Sequence, residues 1–222
     1  MNPFDPRPED LPAEFAVFPL TGALLLPRAR LPLNIFEPRY LAMVEDSLAA
    51  GRMFAMIQPD PARPPGPTGP GLYRIGCLGR LSSFSETDDG RLLITLTGLS
   101  RFHIAAELAM HRGYRRVRAD FAAYPHDLAE AAAAPLDRAA LLAALRAYFD
   151  HRGFNANWEA IEQMADAALV TTLCMACPFD ATEKQALLEA ASPSDRAAAL
   201  LALLRIDTHA PNADPAGRRR AS

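Results

Sequence analysis

Lysine is almost absent from this chain of 222 residues: Lys184 is the only one, and it follows Glu183. A phosphate-binding P-loop needs a lysine directly after a glycine to reach the β- and γ-phosphates, so a nucleotide-hydrolysing loop of that type is excluded. A Ser-Lys peptidase dyad needs a desolvated lysine near an exposed serine. Lys184 lies among Glu183, Gln185 and Glu189, a pattern that predicts a solvated helix face. No G-x-S-x-G elbow occurs. Cysteine is scarce too: three residues form no disulfide framework and fit a reducing cytoplasm. Cys174-Met175-Ala176-Cys177 has the spacing of a redox pair. Such pairs work at a helix amino terminus, where the dipole stabilises the thiolate. This one ends an apolar helical stretch before Pro178, so two buried core residues are the plainer reading. The histidines (His103, His111, His126, His151, His209) are scattered, and neither a metal site nor a cofactor is expected. The longest weakly polar run, Ala167 to Phe179, is too short to span a bilayer. The acidic, Pro-rich start MNPFDPRPED has no signal-peptide core. The net charge of −3 gives no general attraction to nucleic acid or anionic lipid. These absences predict a non-enzymatic, cytoplasmic protein.

What is present describes a globular chain, half hydrophobic and 22% charged. Residues 1–13 read as a flexible arm. Residues 14–124 are strand-rich. Met53 to Gln58 and Tyr73 to Glu86 are strand candidates, the second bent at Gly76 and Gly79. Asp89-Gly90 suits a hairpin turn. After it Leu92, Ile94 and Leu96 alternate with Leu93, Thr95 and Thr97. The proline-rich stretch 59–71 predicts a surface loop with no regular ladder. The period then becomes helical over 127–206. Leu136, Ala140, Leu141, Leu145, Tyr148 and Phe149 mark one helix over 127–150, stopped by Gly153. Trp158, Ile161, Ala165, Ala168, Leu169 and Leu173 mark a second. Asp180 with Glu183 resembles a capping box for a third. Ser192, Pro193 and Asp195 open a fourth. Residues 207–222 read as a flexible tail. Strands first and helices second make the fold class α+β.

The stretch Phe18 to Tyr40, FPLTGALLLPRARLPLNIFEPRY, is the most specific part of the chain. Its three X-Pro breaks allow only short extended pieces, bent at prolines and running into a helix at Pro38. The string resembles the opening of the amino-terminal, substrate-binding domain of the Lon protease family. Further pieces follow in the family's order: Met53 to Gln58, Tyr73 to Gly79, Asp89-Gly90-Arg91 with LLITLTG, Gly98 to Ile104, Tyr114-Arg115, Pro178-Phe179, and Glu183 to Glu189. The resemblance covers roughly residues 14 to 206. It implies a PUA-like β-barrel followed by a carboxy-terminal helical bundle. It also implies a stand-alone substrate-binding domain without ATPase or peptidase, one that holds unfolded or extended polypeptide, or a partner protein, in protein quality control.

The expected contact surface is an apolar groove with edge-strand pairing. Its predicted walls are the irregular run Leu24-Leu25-Leu26 and a barrel rim near Phe84. Phe36, Arg39 and Tyr40 are either further contacts or pins for the helix entry; Arg39 is free to pair with Glu37, cap carbonyls or meet a partner. A rival reading is an RNA-binding PUA-like module. The densest basic run, His111 to Arg118, places Tyr114, Arg116 and Arg118 on one strand face and Arg115 on the other. Stacking and arginine are the chemistry RNA requires. The plainer reading is an exposed strand guarded by charge.

Overall fold

The structure, a computed structural model, describes residues 6–129 and 135–209. Its strands are β1 (Glu14–Pro19), β2 (Arg30–Ile35), β3 (Met53–Ile57), β4 (Ile75–Glu86), β5 (Leu92–His111) and β6 (Tyr114–Asp120). Helix α1 (Pro38–Ala49) follows β2. Five helices follow β6: α2 (Arg138–Arg152), α3 (Trp158–Gln163), α4 (Asp166–Ala176), α5 (Ala181–Glu189) and α6 (Pro193–His209). The sheet order is β2-β5-β4-β3-β1-β6, and a second pairing of β6 with β5 closes a ring. The ring is β5-β4-β3-β1-β6; β2 hangs outside it on the first half of β5. The fold class is α+β, strands before helices, as the sequence predicts.

Both faces of β1 and β3 are buried, which is why they read as unbroken apolar runs. Phe15 and Val17 of β1 pack inside with Ala55, Ile57, Leu78, Phe102, Ile104 and Val117. The alternate set, including Ala16, Phe18, Phe54, Met56 and Cys77, packs outward in one continuous core with residues of α1, α2, α4, α5 and α6.

The structure differs from the sequence reading in several places. Residues 92–111 form one long strand, because β5 pairs first with β2 and β4 and later with β6. α2 begins at Arg138, where the Asp137 side chain accepts from the Ala140 N–H at 2.9 Å. The second helical stretch is two helices, broken at extended Met164 and Ala165. The loop 59–71 carries two isolated bridges, Pro59 with Leu72 and Gly66 with Gly69. Pro8–Asp10 form a turn of 3-10 helix, and Leu11 packs against the interior core. The α5 capping box forms with both bonds at 2.8 Å. Ser192 Oγ accepts from the Asp195 N–H at 3.1 Å. At the other end α6 runs to His209, and Arg152 pairs with Asp207. The arm and tail readings otherwise concern residues 1–5 and 210–222, which lie outside the described residues.

The run Leu24-Leu25-Leu26 corrects an expectation. All three leucines are buried, at 3%, 1% and 1% exposure, so they are no groove wall. The irregular segment lies on β4 and β5 where Gly79 and Gly98 leave room. A Cβ on Gly98 would sit 2.0 Å from the Leu26 carbonyl oxygen, and one on Gly79 would sit 2.9 Å from Leu25 Cδ2. The Arg28 N–H donates to the Gly98 carbonyl, and the Gly98 N–H to the Ala29 carbonyl, each at 2.8 Å.

Lys184 is corrected likewise. It is buried, and Nζ donates to the carbonyls of Gly22 at 2.8 Å and Met175 at 3.2 Å. Desolvation lowers its pKa. Its helix is clamped between the barrel and the helical bundle by polar bonds that replace water. Gln58 Nε2 donates to the Ala181 carbonyl at 3.0 Å, and Gln185 Nε2 to the Ile75 carbonyl at 3.0 Å. Arg101 forms a buried pair with Asp127 at 2.8 Å and donates to the carbonyls of Leu188 and Ala190 past the end of α5.

Candidate functional site

Strand β2 is the open edge of the sheet, and its outward side chains continue across β5 and β4 in rungs. The register places Arg30, Thr97 and Arg80 on the first rung, Pro32, Thr95 and Ser83 on the second, and Asn34, Leu93 and Ser85 on the third. Alternation turns Ile35, Ile94, Leu96 and Leu81 the other way, and all four are buried. The second and third rungs line a shallow, open hollow of about 510 Å³. Beyond the third rung stands Phe36, 60% exposed, with the Arg91 guanidinium 5.9 Å from its ring centre. Leu93 is 48% exposed.

Phe84 is 50% exposed and borders this hollow, although its register partner is Ile94, which alternates with Leu93. Pro32 has no N–H. Because β2 keeps register with β5 through it, the missing donor belongs on the open side, the position an edge strand tolerates. A guest chain finds backbone partners on either side of Pro32 and a gap at it.

Tyr40 and Arg39 have partners within the chain. Tyr40 is buried, its ring 4.2 Å from that of Phe18 and 4.5 Å from the Arg39 guanidinium carbon. Arg39 takes one of its three readings: Nε and Nη2 donate to Glu37 at 3.0 and 2.8 Å. Of the two readings of Phe36, contact or helix-entry pin, its exposure disfavours the pin.

The side chains of the basic run on β6, whose two readings are an RNA contact and a charge-guarded strand, are paired within the chain. The Tyr114 hydroxyl donates to Asp46 at 2.8 Å. Arg115 is buried and donates to the Pro70 carbonyl at 2.6 Å and to Glu107 at 2.7 Å. Arg116 and Arg118 both pair with Glu14, at 3.6 and 2.8 Å. A small hollow of about 110 Å³ lies among Arg39, Tyr40, Thr68, Pro70 and Arg115, but Glu37 and Glu107 already neutralise its two arginines.

Cys174 and Cys177 are buried, and desolvation pushes their thiols up to about 12 and about 11. Thiols so far from ionisation are poor nucleophiles. Among the described residues no group of three or more His, Cys, Asp or Glu is arranged to hold a metal ion, and no helix is long and apolar enough to cross a membrane.

The sequence reading missed Arg30, Pro32, Asn34, Leu93 and Thr95 as a surface. The signal was available: RLPLNI alternates exposed and covered positions, and LLITLT does the same.

Residues 14–205 match the family described as the ATP-dependent protease La (LON) substrate-binding domain. A Lon protease of Desulfosudis oleivorans is 28% identical over 94 residues, which are 42% of this chain and 12% of that protein. The curated relatives are all far longer, and the matched part spans 12–14% of their length. A crystal structure of a Lon N-terminal domain protein from Xanthomonas campestris superposes with a TM-score of 0.60 at 22% identity, covering 85% of this chain and 97% of that one. The N-terminal domain of a Mycobacterium avium complex Lon protease gives 0.54 at 17% identity, covering 88% and 97%. At these identities the likeness concerns the fold.

Proposed function

Because this chain belongs to the Lon substrate-binding domain family, we propose that it is a non-catalytic module that holds extended polypeptide segments on the outward side of the β2-β5-β4 ribbon. The setting proposed is protein quality control in the cytoplasm. One observation carries the reading: exposed Pro32, Leu93 and Phe84 border a hollow on the sheet's open edge, and exposed Phe36 follows directly on β2. Covering such side chains gains about 25 cal/mol per Å² of apolar area before the costs of association. Regular strand geometry supplies a template at the same rise per residue as an extended guest.

The test is fluorescence anisotropy with extended apolar peptides, together with thermal melts. Leu93→Asp and Phe36→Asp are expected to weaken binding while leaving the melt near that of the wild type. Unchanged affinity in folded variants would remove the ribbon from the site. The non-catalytic part of the reading is tested separately with ATP and unfolded casein. Phosphate and peptide release are expected at background, and turnover that co-purifies with this chain would refute it.

A further inference from the structure

Resting on the reading that polypeptide binds this ribbon, we infer that its outward side selects segments carrying an acidic side chain four or six positions from a bulky apolar one. The chemistry of the rungs is graded along the strand. Arg30 and Arg80 are the register partners of Thr97 on the first rung, neutral Pro32, Thr95 and Ser83 fill the second, and exposed Leu93 and Phe36 lie toward the far end. None of the nine rung residues is a carboxylate.

Strands lie 4.7–4.9 Å apart, so the Arg30 and Arg80 backbones are about 10 Å from each other. A guanidinium at the strand's start is the group a carboxylate complements. Arg80 is also engaged within the molecule; Arg30 is exposed at the open edge, where a guest arrives first.

The spacing follows from the register. Asn34, which faces Leu93, is four residues from Arg30, and Phe36 is six. A guest strand alongside β2 has the same rise, about 3.3 Å per residue, and presents alternate side chains to this side. Its acidic and apolar residues must therefore be separated by an even number of positions that matches those intervals. At the apolar end the cation Arg91 is already paired with Asp89 at 2.8 Å, whereas Arg30 is exposed at the open edge, so the Arg30 end is the seat for an acidic residue. Polypeptide is favoured over nucleic acid because the aromatic rings near this surface are few, Phe84 and Phe36, and Phe36 is already overlain by Arg91. Single-stranded nucleic acid uses several such rings as stacking platforms.

The experiment is anisotropy on the full chain with labelled peptides of about twelve residues, long enough to span these rungs with flanks. One peptide has a single Phe in a Ser/Thr background. Others add Glu at four, five or six positions from the Phe, or Lys at four. Glu at four or six is expected to tighten binding about three- to five-fold, the usual worth of an exposed ion pair. Glu at five is expected to gain less and Lys to lose affinity. Arg30→Gln should bring the ratio of Glu-peptide to Phe-only affinity down to about one, and about 0.5 M salt should shrink that ratio likewise. Equal affinity for Glu and neutral peptides would overturn the selection and leave the binding reading standing. No binding of any peptide by folded protein would remove the reading beneath it. Tighter binding of a single-stranded RNA, lost in Arg30→Gln, would overturn the inference in favour of nucleic acid.

Discussion

Leu24–Leu26 and β2 are separated by only three residues, yet they end in opposite environments. The irregular segment buries every leucine, and the regular strand exposes half of its side chains. Irregular backbone suggests loose, outward side chains, and the reverse holds here. A segment free of the pleat can turn consecutive side chains into one core when its neighbours supply glycines to lie on, as Gly79 and Gly98 do. A paired strand has no such freedom: alternation sends every second residue outward. Where no helix covers that side, apolar residues such as Leu93 stay in water.

The sharpest way to break this comparison is one pair of substitutions. Leu25→Asp places an unpaired carboxylate in a dry core, which costs more than the 2–5 kcal/mol of a typical Leu→Ala cavity. No cooperative thermal transition is expected. Leu93→Asp puts the same charge on the exposed ribbon and should shift stability by no more than about 0.5 kcal/mol. Similar melts for the two would show that one of the regions is misplaced.

Arg101→Met tests whether the seam between barrel and helices is as dry as the leucine segment. It strands Asp127 without its cation and frees the carbonyls of Leu188 and Ala190. Losing one member of a buried pair costs about 3–5 kcal/mol. A denaturant midpoint close to the wild type would mean that water already reaches this seam.

A smaller effect is expected at the ribbon tip. Gly90 has φ +79°, with nothing near enough to clash with a side chain, so Gly90→Val costs backbone strain alone, about 1–3 kcal/mol. Gly66→Val in the proline-rich loop lacks that positive φ and should cost less. Equal melting temperatures would count against a strained hairpin.

The smallest effect concerns the hairpin joining β5 to β6. Burial opposes ionisation of Asp46, but bonds from Tyr114 and Arg112 outweigh it and hold the carboxyl below its ordinary 3.8. A depressed folded pKa gives stability present above the unfolded value and lost as pH falls through the folded one. Asp46→Asn should therefore cost under about 1 kcal/mol at neutral pH. That difference should vanish below the folded pKa; a gap that persists there would assign it to packing.

Much of the fold was legible in local chemistry. The prolines of FPLTGALLLPRARLPLNIFEPRY forced short extended pieces and opened α1 at Pro38. Asp180 with Glu183, and Ser192 with Asp195, marked the starts of α5 and α6 because a cap needs only residues three apart. The site was harder to read. The basic run on β6 looked available because its partners Glu14, Asp46, Glu107 and Pro70 lie far away in sequence. Lys184 looked solvated because its acidic neighbours are local, whereas its carbonyl partners are not.

The sequence by itself determined the order of strands and helices, their caps and turns, and the family to which they belong. Those features depend on backbone preferences and on side chains within about one turn of each other. Only the tertiary structure decided which apolar surface stays in water. That depends on what covers each side of each strand, and the cover for Leu25 and the absence of cover for Leu93 come from elements that local pattern does not reach.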